Sequence, residues 1–290
     1  MNRKRGIFTL LLMAVLCASG AAAQTATQDV VYVTVTVTGP KKASAPGLKA
    51  TNFQLWEDDV EQKIVAFGPN DGVWDINVVL ANSMVLPGRA DRTSNAIRDA
   101  VEVFQKTSNP KDKIKVEELK FGSDGLYASI DRNLEDLQKT ANPLRALVVI
   151  TDGFDMPGGD ASNGLIEYSK KLNIPIYFLY TRTHPTDLGD TSTVGARGTA
   201  YNIPEGEALT NVAHNTGGDI DFVDAINQLE SRCKILAEEL RNKYLLGFKS
   251  TNDAKNDKWR KLKVKVFPPA GQKLDASVKA KYFVPKPLKG

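Results

Sequence analysis

The sequence predicts a mixed α/β protein: a mainly parallel sheet with helices on both faces, inserted into a small β domain. Between residues 70 and 241, apolar runs alternate with segments of helical periodicity, which is typical of parallel strands joined by helices. Strands at both ends of the chain follow one another without helices, and three short strands are marginal alone. We therefore expect residues 24–69 and 242–290 to pair into one β domain around the α/β domain.

Residues 1–23 have the pattern of a secretory signal peptide. Three basic residues at positions 3–5 precede an apolar run at 6–19, and alanines at 21–23 suit a cleavage site. A membrane anchor is the alternative, but spanning takes about 20 apolar residues and this run is shorter. We expect export to the periplasm or the medium, with no transmembrane segment after cleavage.

Six β strands are predicted at the two ends of the chain, and several of them alternate apolar and polar residues. They are residues 29–38, 53–57 and 62–67 at the N-terminal end, and 244–248, 261–267 and 277–283 at the C-terminal end. Residues 57–59, Glu-Asp-Asp, are predicted to form a polar turn.

The central section alternates strand and helix. Predicted strands are residues 76–80, 114–121, 147–150, 174–180 and 220–223, and the charges in 114–121 indicate an edge strand. Predicted helices are residues 95–105, 126–137, 165–172, 205–216 and 226–240, and a Gly/Thr-rich loop covers 181–202. Cys233 lies on the apolar face of the last helix, which favours a buried structural thiol over a nucleophile.

Three loops at the carboxyl ends of predicted strands carry polar groups. They are residues 81–83, 122–124 and 151–155. Open parallel sheets bind ligands at this edge. The available donors are all oxygens, a set that suits Mg²⁺, Mn²⁺ or Ca²⁺ better than zinc.

With these motifs in order, the chain resembles the von Willebrand factor type A (VWFA)-related family of secreted bacterial proteins first defined in acidobacteria. The resemblance spans nearly all of the mature chain and rests on segments such as Pro46-Gly-Leu48, Leu147-Val-Val-Ile-Thr-Asp-Gly153, Tyr244-Leu-Leu-Gly247, Lys258-Trp-Arg-Lys261 and Tyr282-Phe-Val-Pro285. It implies a Rossmann-like VWFA domain and a metal-ion-dependent adhesion site, in which a partner carboxylate completes the metal's coordination.

The metal motif of that family is altered here. The family has Asp-x-Ser-x-Ser after the first strand, whereas this chain has Ala81-Asn-Ser83-Met-Val85. Ser83 and Asp152 match the family pattern, and Asp124 stands near the position of a threonine ligand. We expect a degenerate site with no cofactor. The alternative is a residual site for Mg²⁺ or Mn²⁺ built from Ser83, Asp124 and Asp152.

The predicted function is that of an exported, non-enzymatic binding or scaffold protein with an unidentified protein partner. The residues expected at the contact are Asn82, Ser83, Asp155 and Asp190, all in loops. Asp190 begins Asp-Thr-Ser-Thr, which resembles the missing metal motif, but it lies in the long loop and not after the first strand.

A hydrolase is the second alternative. Its candidates are His184, His214 and Ser162, but the chain has no Gly-x-Ser-x-Gly elbow to present a serine nucleophile. Ser162 is more readily explained as a helix cap or a turn residue, and His214 as a cation at a helix end.

Charge is divided unevenly along the chain. The whole chain has 38 Lys+Arg and 34 Asp+Glu, yet residues 255–290 hold eleven Lys/Arg and two Asp. Lys261, Lys263 and Lys265 alternate with apolar residues, which predicts the solvated face of one strand. The alternative is contact with an anionic surface: envelope lipid, cell-wall polymer or the chain's own acidic domain. Nucleic acid is not expected, because the chain is predicted to be exported and lacks interleaved aromatic residues.

Overall fold

A computed structural model describes residues 30–81, 92–119, 125–153, 160–181, 204–269 and 273–286. The strands are β1 (Val31–Thr38), β2 (Phe53–Glu57), β3 (Val60–Gln62), β4 (Ile64–Gly68), β5 (Asp75–Ala81), β6 (Lys113–Glu118), β7 (Arg145–Thr151), β8 (Ile176–Thr181), β9 (Ile220–Val223), β10 (Lys243–Phe248), β11 (Lys258–Val266), β12 (Asp275–Val278) and β13 (Lys281–Val284). The helices are α1 (Arg92–Thr107), α2 (Gly125–Gln138), α3 (Asp160–Leu172), α4 (Pro204–Thr216) and α5 (Leu229–Arg241).

The parallel sheet has the strand order β6-β5-β7-β8-β9, and every neighbouring pair is parallel. Helices α1 and α5 pack on one face of it, and α2, α3 and α4 on the other. Strands β5 and β8 are buried along their whole length, because helices cover both faces. The predicted α/β class is confirmed, and β6 is the edge strand that its charges indicated.

The two chain ends form a β sandwich. Its first sheet has the order β12-β1-β10-β4 and its second sheet has the order β13-β11-β2-β3. In each sheet an N-terminal strand pairs antiparallel with a C-terminal one, β1 with β10 and β2 with β11. The predicted pairing of the two ends is therefore confirmed, and their inward side chains share one apolar core.

Two of the strands predicted at the chain ends are wrong as single strands. Residues 62–67 belong to β3 and β4, and residues 277–283 to β12 and β13. In both cases the two pieces lie in different sandwich sheets, so the chain crosses the sandwich at Lys63 and again at Lys279 and Ala280. Because both sheets bury one face of their strands in the same core, residue type alone does not mark where the chain passes from one sheet to the other.

Glu57, predicted in a polar turn, is buried inside the sandwich and is only 2% exposed. Its carboxylate accepts hydrogen bonds from Arg260 Nη1 at 3.0 Å, from Ser250 Oγ at 2.5 Å and from the hydroxyl of Tyr282. Burial acts to lower the pKa of Arg260, but the hydrogen bond and charge of Glu57 outweigh it and raise the value. Burial, and then the bond to Glu57, raise the pKa of Tyr282.

The turn itself lies at the next two residues. Asp58 and Asp59 have φ values of 47° and 66°, and Glu57 pairs with Val60 across them. This is the two-residue hairpin geometry that needs positive φ at both central positions.

The described part of the chain contains no helix that is long and apolar enough to cross a membrane. Cys233 is fully buried between α5 and the parallel sheet, and burial raises the pKa of its thiol to about 12. The structural role predicted for this cysteine therefore agrees with its position, since a thiolate is the reactive form.

Candidate functional site

The carboxyl edge of the parallel sheet is where the predicted site residues were expected to meet. Strand β5 ends at Ala81, β6 at Glu118, β7 at Thr151 and β8 at Thr181. The register pairs Ala81 with Thr151, and Thr151 with Tyr180, so these strand ends lie side by side. The segments that follow them therefore begin from one edge.

The turn after β7 is held by a hydrogen bond and by lack of space. The backbone N–H of Gly153 donates to Thr151 Oγ1 at 3.0 Å. Gly153 has φ +78°, and a Cβ there would lie 2.8 Å from the hydroxyl of Tyr180. Only glycine fits this position without strain. Asp152 lies between Thr151 and Gly153 and is 2% exposed. The constrained turn therefore fixes one buried carboxylate at the edge of the sheet.

Two hydroxyls beside Asp152 are already engaged with the chain. Thr151 Oγ1 accepts the Gly153 N–H, and Thr181 Oγ1 donates to the carbonyl oxygen of Thr151 at 3.4 Å. Both threonines are buried. These groups therefore stabilise the edge and bind β7 to β8.

A charged pair that sequence reasoning missed borders the same edge. Arg98 on α1 contacts Glu118 at the end of β6, with Nε 3.0 Å from Oε1. Arg98 Nη1 also donates to Ser94 Oγ at 3.1 Å. The two charged side chains are 34% and 45% exposed, so they remain accessible to a partner. Helical periodicity marks Arg98 only as a polar-face residue, and nothing in the sequence joins it to Glu118.

The structure places Asp152 and Ala81 at the edge, on neighbouring strands. The other residues predicted for metal or partner contact lie outside the described residues: Asn82, Ser83, Asp124, Asp155 and Asp190. Val85, the second altered position of the motif, also lies outside them. Of the two positions at which this chain departs from the adhesion motif, the structure describes Ala81, which is 8% exposed.

The described donors at this edge do not make up a divalent-metal site. Asp152 and Glu118 are carboxylates that the described residues supply near Ala81, but Glu118 is paired with Arg98 and the Ala81 methyl group offers no ligand. Mg²⁺ and Mn²⁺ sites use several oxygens around the ion, commonly including more than one carboxylate. Within the described ranges no cluster of three or more His, Cys, Asp or Glu could hold a metal ion.

Two of the residues considered for hydrolysis, Ser162 and His214, are not brought together. Ser162 lies in the first turn of α3 and His214 in the last turn of α4. Both helices return from the carboxyl to the amino edge of the sheet, as crossover helices do, so the two positions lie toward opposite edges. His184 is outside the described residues.

No family model and no curated protein matches the chain. Among solved structures, a von Willebrand factor type A protein from Catenulispora acidiphila is 10% identical, with a TM-score of 0.41, covering 90% of this chain and 74% of that one. An aerotolerance-related membrane protein from Bacteroides fragilis and BatB from Bacteroides thetaiotaomicron are 19% and 18% identical, each with a TM-score of 0.34. Each of these two alignments covers 58% of this chain. The alignments cover 98% of the Bacteroides fragilis protein and 97% of BatB. Similarities of this size do not identify the function of the chain.

Proposed function

We propose that the chain is an exported, non-enzymatic binding or scaffold protein that contacts a protein partner at the carboxyl edge of its parallel sheet. The contact does not depend on a metal ion. The observation that carries this proposal is that the buried carboxylate of Asp152 directly follows Thr151, the strand partner of the apolar Ala81, at the ends of two neighbouring strands.

The edge has the properties of a rigid platform for partner-binding loops. The turn at Asp152 is fixed by Gly153, and Thr181 ties β7 to β8. Loops that a rigid scaffold positions are the usual location of binding residues. The partly exposed Arg98–Glu118 pair adds one charge of each sign. Such charges fix the orientation of a partner more than they strengthen its binding.

The absence of a carboxylate at Ala81 supports a metal-independent contact. A hard dication needs its charge balanced by its ligands, and a methyl group in this position removes one negative charge from the set. The alternative function is an adhesion module that still binds Mg²⁺ or Mn²⁺ through Ser83, Asp124 and Asp152. The two functions differ in their response to EDTA.

The test is affinity capture from the native envelope and medium with immobilised residues 24–290, with and without EDTA. The variant is Arg98→Glu, which reverses a charge at the carboxyl edge. The matched control is Lys111→Glu, an exposed site in the connection between α1 and β6, at the opposite edge. We expect a partner that is retained in EDTA, is weakened by Arg98→Glu and is unaffected by Lys111→Glu.

Other outcomes contradict the proposal in distinct ways. A partner lost in EDTA, restored by Mg²⁺ and abolished by Asp152→Asn would establish the metal-dependent alternative. Calorimetric binding of Mg²⁺ or Mn²⁺ that Asp152→Asn removes would do the same. No partner under either condition would argue against both. Turnover on an ester and phosphoester panel, lost in Ser162→Ala or His214→Ala, would show an enzyme.

A further inference from the structure

The outer face of the second sandwich sheet carries a row of unpaired positive charges. Lys261, Lys263 and Lys265 are exposed along β11, and Lys281 lies opposite Lys261 on β13. None of these four lysines makes an ion pair with a carboxylate in the described part of the chain. Two carboxylates lie near them: Glu61 is on the same face of β3, and Asp58 Oδ1 accepts the backbone N–H of Lys261 at 2.8 Å. Four lysines against two carboxylates leave the net charge positive.

Strand pairing inserts tryptophans among these lysines. Trp56 on β2 is paired with Lys263, and Lys265 Nζ lies 5.5 Å from the centre of its ring. Trp259 on β11 has Lys281 Nζ at 4.7 Å from its ring centre. Both indoles are half-buried, and Trp259 also has Lys279 Nζ at 5.7 Å and the ring centre of Phe283 at 5.4 Å from its ring centre. The linear sequence does not display this interleaving, because Trp56 is about two hundred residues from the lysines beside it.

The charges and rings form a straight stripe along β11. Trp259 lies four residues before Lys263, so the two tryptophans are separated by about 13 Å along the strand direction. Lys261 lies in the interval, Lys263 lies beside Trp56, and Lys265 extends the stripe beyond it. A stripe of this form matches a linear polymer better than a compact ligand.

We propose that this face binds an acidic polysaccharide. Each indole and its neighbouring ammonium group can bind one uronic-acid unit. The C–H face of the sugar ring stacks on the indole, and the sugar carboxylate pairs with the lysine. The two indoles then hold separate units of one chain, and the lysines along β11 neutralise the carboxylates of neighbouring units.

The composition of the face favours an acidic glycan over other polyanions. Nucleic-acid platforms commonly combine aromatic rings with arginine, whereas the arginine of this strand, Arg260, points into the sandwich and is bound to Glu57. An anionic bilayer would favour apolar side chains that project into it, whereas both indoles are half-buried among lysines. The predicted export would also bring the face to envelope polysaccharide.

The test is binding of residues 24–290 to polygalacturonate at physiological ionic strength. Comparison ligands are fully methyl-esterified polygalacturonate, single-stranded DNA and phosphatidylglycerol vesicles. The variants are Lys263→Gln/Lys265→Gln and Trp56→Ala. The matched control, Lys111→Gln/Lys234→Gln, removes the same charge from exposed sites on the α/β domain. Circular dichroism verifies the fold of each variant.

We expect polygalacturonate to bind, and the esterified polymer to bind at least about tenfold more weakly. The double lysine variant should lose about tenfold in affinity, Trp56→Ala several-fold, and the control less than about twofold. The proposal is overturned if polygalacturonate does not bind, if the control loses as much as the double lysine variant, or if Trp56→Ala leaves affinity unchanged. Tighter binding of DNA or of vesicles would also overturn it.

Discussion

Lys279 provides a stability prediction with a definite pH dependence. It lies in the crossing between β12 and β13, with its stem against Gly217 and its Nζ buried without a hydrogen-bond partner in the described structure. Burial, and then the charge of Lys281, lower the pKa of this amine from 10.5 to about 8. The folded protein therefore holds this proton less tightly than the unfolded chain does.

The size and sign of the effect follow from that pKa. Below pH 8 the ammonium is charged in both states, and its burial lowers the free energy of unfolding by about 3 kcal/mol at most. Between about pH 8 and 10.5 the folded state loses the proton first, so stability rises with pH. Lys279→Met keeps the apolar stem and removes the charge. It should therefore stabilise the protein at pH 7, and much less at pH 10.

The measurement is urea unfolding followed by tryptophan fluorescence at pH 7 and pH 10. We expect Lys279→Met to raise the free energy of unfolding by about 2–3 kcal/mol at pH 7 and by about 1 kcal/mol at pH 10. Lys273→Met, at an exposed position, is the control and should change stability by less than about 0.5 kcal/mol. An equal gain at both pH values, or a loss at pH 7, would refute the reasoning.

Three further predictions concern buried groups. Arg260→Met should lower the free energy of unfolding in urea by about 3–5 kcal/mol, because Glu57 stays buried without its cation. The double variant Glu57→Met/Arg260→Met should recover most of that loss, and a double variant as unstable as the single one would contradict this. Gly218→Ala should prevent native folding as seen by near-UV circular dichroism, because its Cβ would lie 1.9 Å from a carbonyl oxygen of β8, whereas Gly164→Ala, which has open space, should fold. Cys233 should react with a thiol reagent only upon unfolding, since it is fully buried with a pKa of about 12, and rapid labelling of the native protein would show otherwise.

The sequence alone was sufficient to predict the succession of elements and the fold class. Apolar runs such as residues 147–150 and helical spacing around Cys233 record burial of whole strands and of one helix face. These are local patterns, and the structure agrees with them. Strand β7 is buried in the centre of the parallel sheet, and α5 packs on one face of that sheet through Cys233. The rule for parallel sheets also located the edge at which Asp152 is found.

The tertiary structure alone decided which strands meet. The residue patterns of 62–67 and 277–283 predict strands, but they contain no information about the sheet in which each half lies. Pairing of β2 with β11 turns Glu57 and Arg260 toward each other inside the sandwich, and sets Trp56 among the lysines outside it. These contacts join residues about two hundred positions apart. Local periodicity cannot predict them, because they depend on how the two chain ends are folded together around the α/β domain.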